Sequence, residues 1–184
     1  MILELIKKRR AVFPVQYNNQ PINRETIEKI LEAANWAPTH KRTEPWRFKV
    51  VRGEARERLG IFLSEKYLET EKRPKHIKAK KLLDKPRQAA AVILICMQRD
   101  PEERVPEWEE IAATSMAVQN MWLMCTEMGI GCYWSSPTLI SHIGSFTTLQ
   151  QGEKCLGLFY MGHFDGKLEE GERTPMAEKV SWID

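Results

Sequence analysis

Three short segments of this chain gather the side chains able to bind a ligand. The first is Lys7-Lys8-Arg9-Arg10-Ala11, at the end of an opening apolar and basic stretch. Adjacent arginines there admit two readings. At a helix C-terminus they complement the dipole; their planar guanidinium forks can equally grip a phosphate dianion through paired, charge-assisted hydrogen bonds. The second segment, Asn35-Trp36-Ala37-Pro38-Thr39-His40-Lys41-Arg42-Thr43-Glu44-Pro45-Trp46-Arg47-Phe48, combines two loop-stiffening prolines with indole rings and several hydrogen-bond donors. A loop that is rigid, polar and aromatic at once suits a flat heteroaromatic ligand. The third, Gly131-Cys132-Tyr133-Trp134-Ser135-Ser136, sets backbone and hydroxyl donors beside an indole. No phosphate-binding P-loop, dinucleotide fingerprint, HExxH or GxSxG is present. His40, His76, His142 and His163 do not pair at metal spacing and read individually as surface or structural groups.

The elements that must position these segments follow from periodicity. Residues 2–10 read as a short helix with Ile2, Leu5 and Ile6 on one side. Asn23 is placed to cap a second helix, whose Ile27, Ile30, Leu31 and Ala34 repeat at helical spacing until Pro38 stops it. Trp46 to Arg52 alternates as a strand does, and Glu54 to about Leu83 reads as charged helix broken near Pro74. Ala89 to Met97 is a Val- and Ile-rich run suited to a central strand buried on both faces. Glu107 to Met128 is a helix apolar nearly all round, with one stripe through Ile111, Ser115, Val118, Trp122 and Cys125. It is either a core helix of one protomer or a helix covered by a partner subunit. Gly129 and Gly131 end it; Ile130 to Trp134 and Leu156 to Phe164 are strands, with a short helix after Pro137 between them. The order implies an α+β fold, a mixed or antiparallel central sheet sandwiched by helices, rather than a doubly wound βαβ repeat.

A single domain spanning 1–184 is expected, since no repeat, linker or low-complexity tract divides the chain. Its tail, from about 166 to 184, is polar until Val180 and Trp182, and a Trp so near a C-terminus implies docking. A net charge of +3, without aromatic residues interleaved among the basic ones, argues against a nucleic-acid partner. No apolar run approaches a membrane span and no secretory leader is legible, so a cytoplasmic protein is expected. Cys96, Cys125, Cys132 and Cys155 sit among apolar residues and read as reduced core thiols.

These segments together resemble the nitroreductase-like flavoprotein family. The Arg9-Arg10-Ala11 element, the Ala37-Pro38…His40-Lys41…Pro45-Trp46…Phe48 loop, the Gly129…Gly131…Trp134…Ser136 segment and the tail Arg173-Thr174-Pro175…Glu178-Lys179-Val180-Ser181-Trp182 occur in the family's order. The resemblance runs essentially end to end and is closest to the short members that keep His-Lys in the loop. It implies an intertwined homodimer with FMN at the subunit interface and the tail docking on the partner subunit. Carried over, Arg9 and Arg10, with Ala11 beside them, grip the phosphate or ribityl chain, and Arg173 adds a contact from the tail. Trp36 and His40 come from the other subunit, and Trp134, Ser135 and Ser136 lie near the ring and phosphate. Close relatives carry Arg in place of Trp36 and a basic residue in place of Ser135, while Arg42 and Glu44 replace the Asn and Gln of longer relatives.

The activity so implied is NAD(P)H oxidation through flavin N5, with nitroaromatics or quinones as acceptors in ping-pong order. The flavin carries the redox chemistry, and no protein nucleophile or metal is expected. Lys41, Arg42 or Lys85 are the candidates for stabilising charge near N1 of the reduced ring. Another flavin reaction of the family, of dehydrogenase or dehalogenase type, and a non-enzymatic FMN-binding domain are the alternatives.

Overall fold

The apolar run expected as the central strand forms it, from Ala91 to Gln98, in the computed structural model, which describes residues 1–184. Four strands build the sheet: β1 (Trp46–Val51), β2 (Ala91–Gln98), β3 (Gly131–Ser135) and β4 (Glu153–Gly162). Their spatial order is β1-β2-β4-β3, and every neighbouring pair is antiparallel. The expected "mixed or antiparallel" sheet is thus wholly antiparallel, because of the connections. Between β1 and β2 the chain makes a helical hairpin, α3 (Glu54–Thr70) and α4 (His76–Gln88), and so returns reversed. β2 and β3, joined by the single helix α5 (Glu107–Glu127), are kept apart by β4.

Alternation along β2 serves two cores. Ala91, Ile93 and Ile95 face α5 and α2 (Arg24–Asn35); Val92, Leu94 and Cys96 face α3, α4 and the 3-10 turn Thr138–Ser145. Such a strand must be apolar at every position, which is why it was legible. Asn23 caps α2 as expected, its Oδ1 accepting from the Thr26 N–H at 2.8 Å. The break near Pro74 falls between Thr70 and His76.

The long helix is a core helix along one side only. Ala113, Ala117, Val118, Met121 and Cys125 are buried against the sheet, but Trp108, Ile111 and Met116 lie exposed on the opposite side. The buried row also holds Glu110 and Thr114 instead of Ile111 and Ser115. Glu110 is only 1% exposed. Its carboxylate accepts from the Asp100 backbone N–H at 2.9 Å and pairs with Arg99, so its charge is compensated. β4 likewise begins three residues before its apolar run, at Glu153, whose buried carboxylate pairs with Lys49 at 2.7 Å.

The opening helix α1 (Ile2–Lys8) is shorter than expected, and Arg9 and Arg10 lie beyond its end. None of its residues is buried; Ile2, Leu3 and Ile6 face outward. The tail after Phe164 is exposed too, Trp182 at 86% and Ile183 at 97%. All four cysteines are free, but Cys155 is partly exposed where a core thiol was expected. No helix is long and apolar enough to cross a membrane.

Close approach of α3 and α4 depends on Gly60, where a methyl group would run into the Leu83 carbonyl oxygen. Gly60→Ala is expected to lower unfolding free energy by about 1–3 kcal/mol, as overpacking does, in a denaturant titration. An unchanged midpoint would show that the hairpin adjusts freely.

Candidate functional site

Where α1 ends, the backbone turns extended at Arg9 (φ −55°, ψ 124°), and the Val12 N–H donates to the Cys132 carbonyl at 3.0 Å. This pins the first arginine pair at the edge of a cavity of about 1340 Å³, bordered also by the C-terminal half of α5 and the start of the tail. Trp122 is the post on which the pair rests. Its ring lies 4.7 Å beneath the Arg9 guanidinium, and its Nε1–H donates to the Arg10 carbonyl at 3.0 Å. The indole is itself braced edge-on by Phe159, with centroids 5.8 Å apart.

The cavity brings Arg9, Arg10 and Arg173 together, and none of the three forms a salt bridge with a carboxylate. Burial, and then the like charges of Arg173 and Arg10, push the Arg9 pKa below its ordinary value. Arg10 is partly committed: Nε donates to the Glu169 carbonyl (3.0 Å), and Nη1 to those of Lys7 (2.6 Å) and Arg9 (2.7 Å). Gly171 lies flat against it, so that a Cβ there would sit 2.6 Å from Cζ. Its Nη2 stays uncommitted. Glu4, Glu169 and Glu170 line the cavity as well but pair with none of the three arginines; convergent guanidinium donors free of ion pairs fit an anion of more than one negative charge, and the donor set suits a phosphate. Ala11 is exposed beside them.

The remaining residues singled out in the sequence lie elsewhere. Trp36 follows the last turn of α2, 79% exposed, its Nε1–H donating to Glu32 at 2.9 Å. His40 Nδ1 is hydrogen-bonded to Glu109 in the first turn of α5 at 2.6 Å. Glu109 and Trp122 are separated by about 20 Å at 1.5 Å per helical residue, so the His40 loop and the arginine cluster stand at opposite ends of α5. That loop is strained: Lys41, Arg42 and Glu44 all have positive φ (50°, 54° and 41°) without being glycine. The Thr39 hydroxyl accepts from the Glu44 N–H at 3.1 Å, and Lys41 Nζ donates to the Arg104 carbonyl at 2.9 Å, which hold it in place. Trp134, Ser135 and Ser136 sit at the far end of β3 from Gly131, outside the arginine cavity. Trp134 lies against Gly157 of β4, its buried Nε1–H without an acceptor.

Of the three candidates for the flavin N1 region, Lys85 lies over the Tyr133 ring (5.3 Å), on the sheet face opposite α5. Lys41 is held by Arg104, and the Arg42 side chain is exposed without a hydrogen-bond or ion-pair partner. Trp122 and Glu109 were not legible as site residues. An indole on an apolar helix stripe and a glutamate in a first helical turn read as core and dipole partner until the fold sets Arg9 and His40 against them.

Residues 6–163 match the sequence model of the Nitroreductase family. The Bacillus subtilis protein YfhC, provisionally named an NAD(P)H nitroreductase, is 27% identical over 98% of this chain and 93% of its own length. The crystal structure of a nitroreductase-like family protein from Bacillus cereus superposes with a TM-score of 0.88 at 31% identity, covering 100% of this chain and 96% of that one. The same fold occurs in a provisionally assigned nitroreductase from Desulfovibrio desulfuricans solved in complex with FMN, with a TM-score of 0.76 at 23% identity, covering 100% and 96%.

Because Arg10 straps the tail to the end of α1, Arg10→Ala is expected to raise the rate of proteolysis within residues 166–175 about tenfold, the equivalent of one charged hydrogen bond of roughly 1.4 kcal/mol. Limited digestion followed by mass spectrometry reads the cut site. Unchanged cleavage would mean that the tail is held by other contacts.

Proposed function

The chain belongs to the nitroreductase family, and from that premise we propose that it is an FMN-dependent NAD(P)H oxidoreductase acting on electron-poor acceptors such as nitroaromatics and quinones. The observation that carries the reading is the cluster of Arg9, Arg10 and Arg173 in one cavity, none of them ion-paired with Glu4, Glu169 or Glu170, which line it too. FMN, which accompanies a neighbour of the same fold, brings the phosphate that such a cluster lacks. When bound, it supplies the relay of a hydride from NAD(P)H to the acceptor, donor and acceptor using one pocket in turn.

The protein's part is to bind, orient and tune. Arg9 and Arg173, with the free Nη2 of Arg10, hold the phosphate, and Trp122 keeps Arg9 in register for it. Trp134, Ser135 and Ser136 border the ring. Arg42, whose exposed side chain has no hydrogen-bond, ion-pair or ring contact, would stabilise negative charge near N1.

The two half-sites at opposite ends of α5 are completed across a homodimer. A two-fold axis brings one protomer's arginine cluster to Trp36 and His40 of the partner subunit. The outward apolar side chains of α1 (Ile2, Leu3, Ile6), of α5 (Trp108, Ile111, Met116) and of the tail (Val180, Trp182, Ile183) supply the surface for it. The tail from about 166 to 184 docks on the partner, which gives Trp182 cover that its own protomer does not.

Purified protein supplied with FMN is expected to be yellow, to bleach with NAD(P)H under anaerobic conditions, and to recover its spectrum on adding a nitroaromatic, with the FMN intact. Arg9→Ala combined with Arg173→Ala should weaken FMN binding about 100-fold or more, from roughly 1.5–3 kcal/mol per charged hydrogen bond, without changing the helical signal or the dimer mass. Unchanged flavin affinity in that variant removes the phosphate assignment, and a monomer in solution removes the shared site.

A further inference from the structure

On the sheet face away from α5, two cysteines are set side by side by an irregularity in the ladder. From Ala91 to Ile95, β2 pairs with β4 in one register, with Ile95 opposite Gly157. At Cys96 the register slips by one residue, so that its partner is Cys155 and Leu156 is left out of the pairing. Without this bulge Cys96 would stand opposite Leu156. Bulges re-aim side chains, and here the result is a thiol facing a thiol, both packed on the α3–α4 side. Directly opposed residues of antiparallel strands have Cα atoms about 4.5–5.5 Å apart, within the range a disulfide spans.

The two thiols differ in access and in chemistry. Cys96 is fully buried, whereas Cys155 is partly exposed. The Cys155 thiol donates to the Gly157 carbonyl at 3.5 Å; the neighbouring Cys96 thiol and the Lys49 ammonium draw its pKa below its ordinary value, against desolvation and the nearby Glu153 carboxylate. The same contact, with burial, pushes Cys96 up. Cys155 is thus the nucleophile of the pair and Cys96 its resolving partner. The second thiol pair, Cys125 and Cys132, is wholly buried between α5 and β3 and serves as an internal control.

We propose that Cys96 and Cys155 are a redox modification site that closes to a cross-strand disulfide on reaction with a hydroperoxide. The Cys155 thiolate attacks the terminal peroxide oxygen; the O–O bond breaks, and the alkoxide leaves and takes up a proton as alcohol. The Cys96 sulfur then attacks the sulfenic sulfur of Cys155, the S–S bond forms, and the S–O bond breaks. The hydroxide leaves with the Cys96 proton as water. In sum, two thiols and one hydroperoxide give one disulfide, one alcohol and one water; with hydrogen peroxide both small products are water.

The test treats the full-length protein, with whatever flavin it carries, with hydrogen peroxide, then denatures it, alkylates it and maps the peptides. Expected is a mass loss of two hydrogens and a peptide joining Cys96 to Cys155, with Cys125 and Cys132 still alkylated and thiol reductant restoring all four. The linked form should accumulate at least about tenfold faster than any change at the buried pair. Cys155→Ser should abolish the link, and Cys96→Ala should leave Cys155 as a sulfenic acid trapped by a cyclic 1,3-dione. Four alkylatable cysteines after peroxide, a link through Cys125 or Cys132, or irreversible over-oxidation of Cys155 in the unmutated protein would each overturn the proposal. None of these readouts depends on flavin turnover.

Discussion

A guanidinium lying on an indole is the contact on which the candidate site depends. Arg9 is part-buried next to two like charges, an arrangement that costs free energy, and no carboxylate is ion-paired with it. The Trp122 face offsets part of that cost through its quadrupole, and the indole N–H, bonded to the Arg10 carbonyl, ties the backbone of the pair to α5. Since Phe159 braces the indole from the sheet, the position of the arginines is referred to the core itself rather than to a mobile terminus. The same electrostatic imbalance that makes the cluster costly makes it receptive to an anion.

α5 carries the architecture that surrounds this contact. One row of its side chains closes the larger core over β2 and β4. Its first turn holds His40 through Glu109, and its last two turns present Trp122. The remaining side, with Trp108, Ile111 and Met116, is exposed. A helix that must serve a core, two ends of a site and an outward apolar strip can have little polar surface. This explains a composition that looked in sequence like burial on all sides.

Much of the fold was legible because it follows from local rules. Asn23 as a cap, Pro74 as a break and the uninterrupted apolar run of β2 each depend on neighbours within a few residues or on full burial. The buried row of α5 and the start of β4 differed from expectation where a charge was buried. Glu110 and Glu153 look like surface residues in any periodicity argument, yet Arg99 and Lys49 arrive from elsewhere in the chain to neutralise them. The two arginines near the N-terminus were open to a helix-dipole reading. The structure bears that reading out for Arg10, whose Nη1 donates to the Lys7 carbonyl at the C-terminal end of α1, while Arg9, the residue that caps the helix, lies over Trp122.

By itself the sequence determined the α+β layering, the central strand, the family and the arginine pair after α1. Those features are written in periodicity and in short motifs whose residues are near neighbours. Tertiary structure alone decided three further matters: that Arg10 is tied to the Glu169 carbonyl of the tail, that the His40 loop and the arginine cluster lie at opposite ends of α5, and that Cys155 faces Cys96. Each is a pairing between residues far apart in the chain. Such a pairing depends on a register shift or a helix end, which no local pattern encodes.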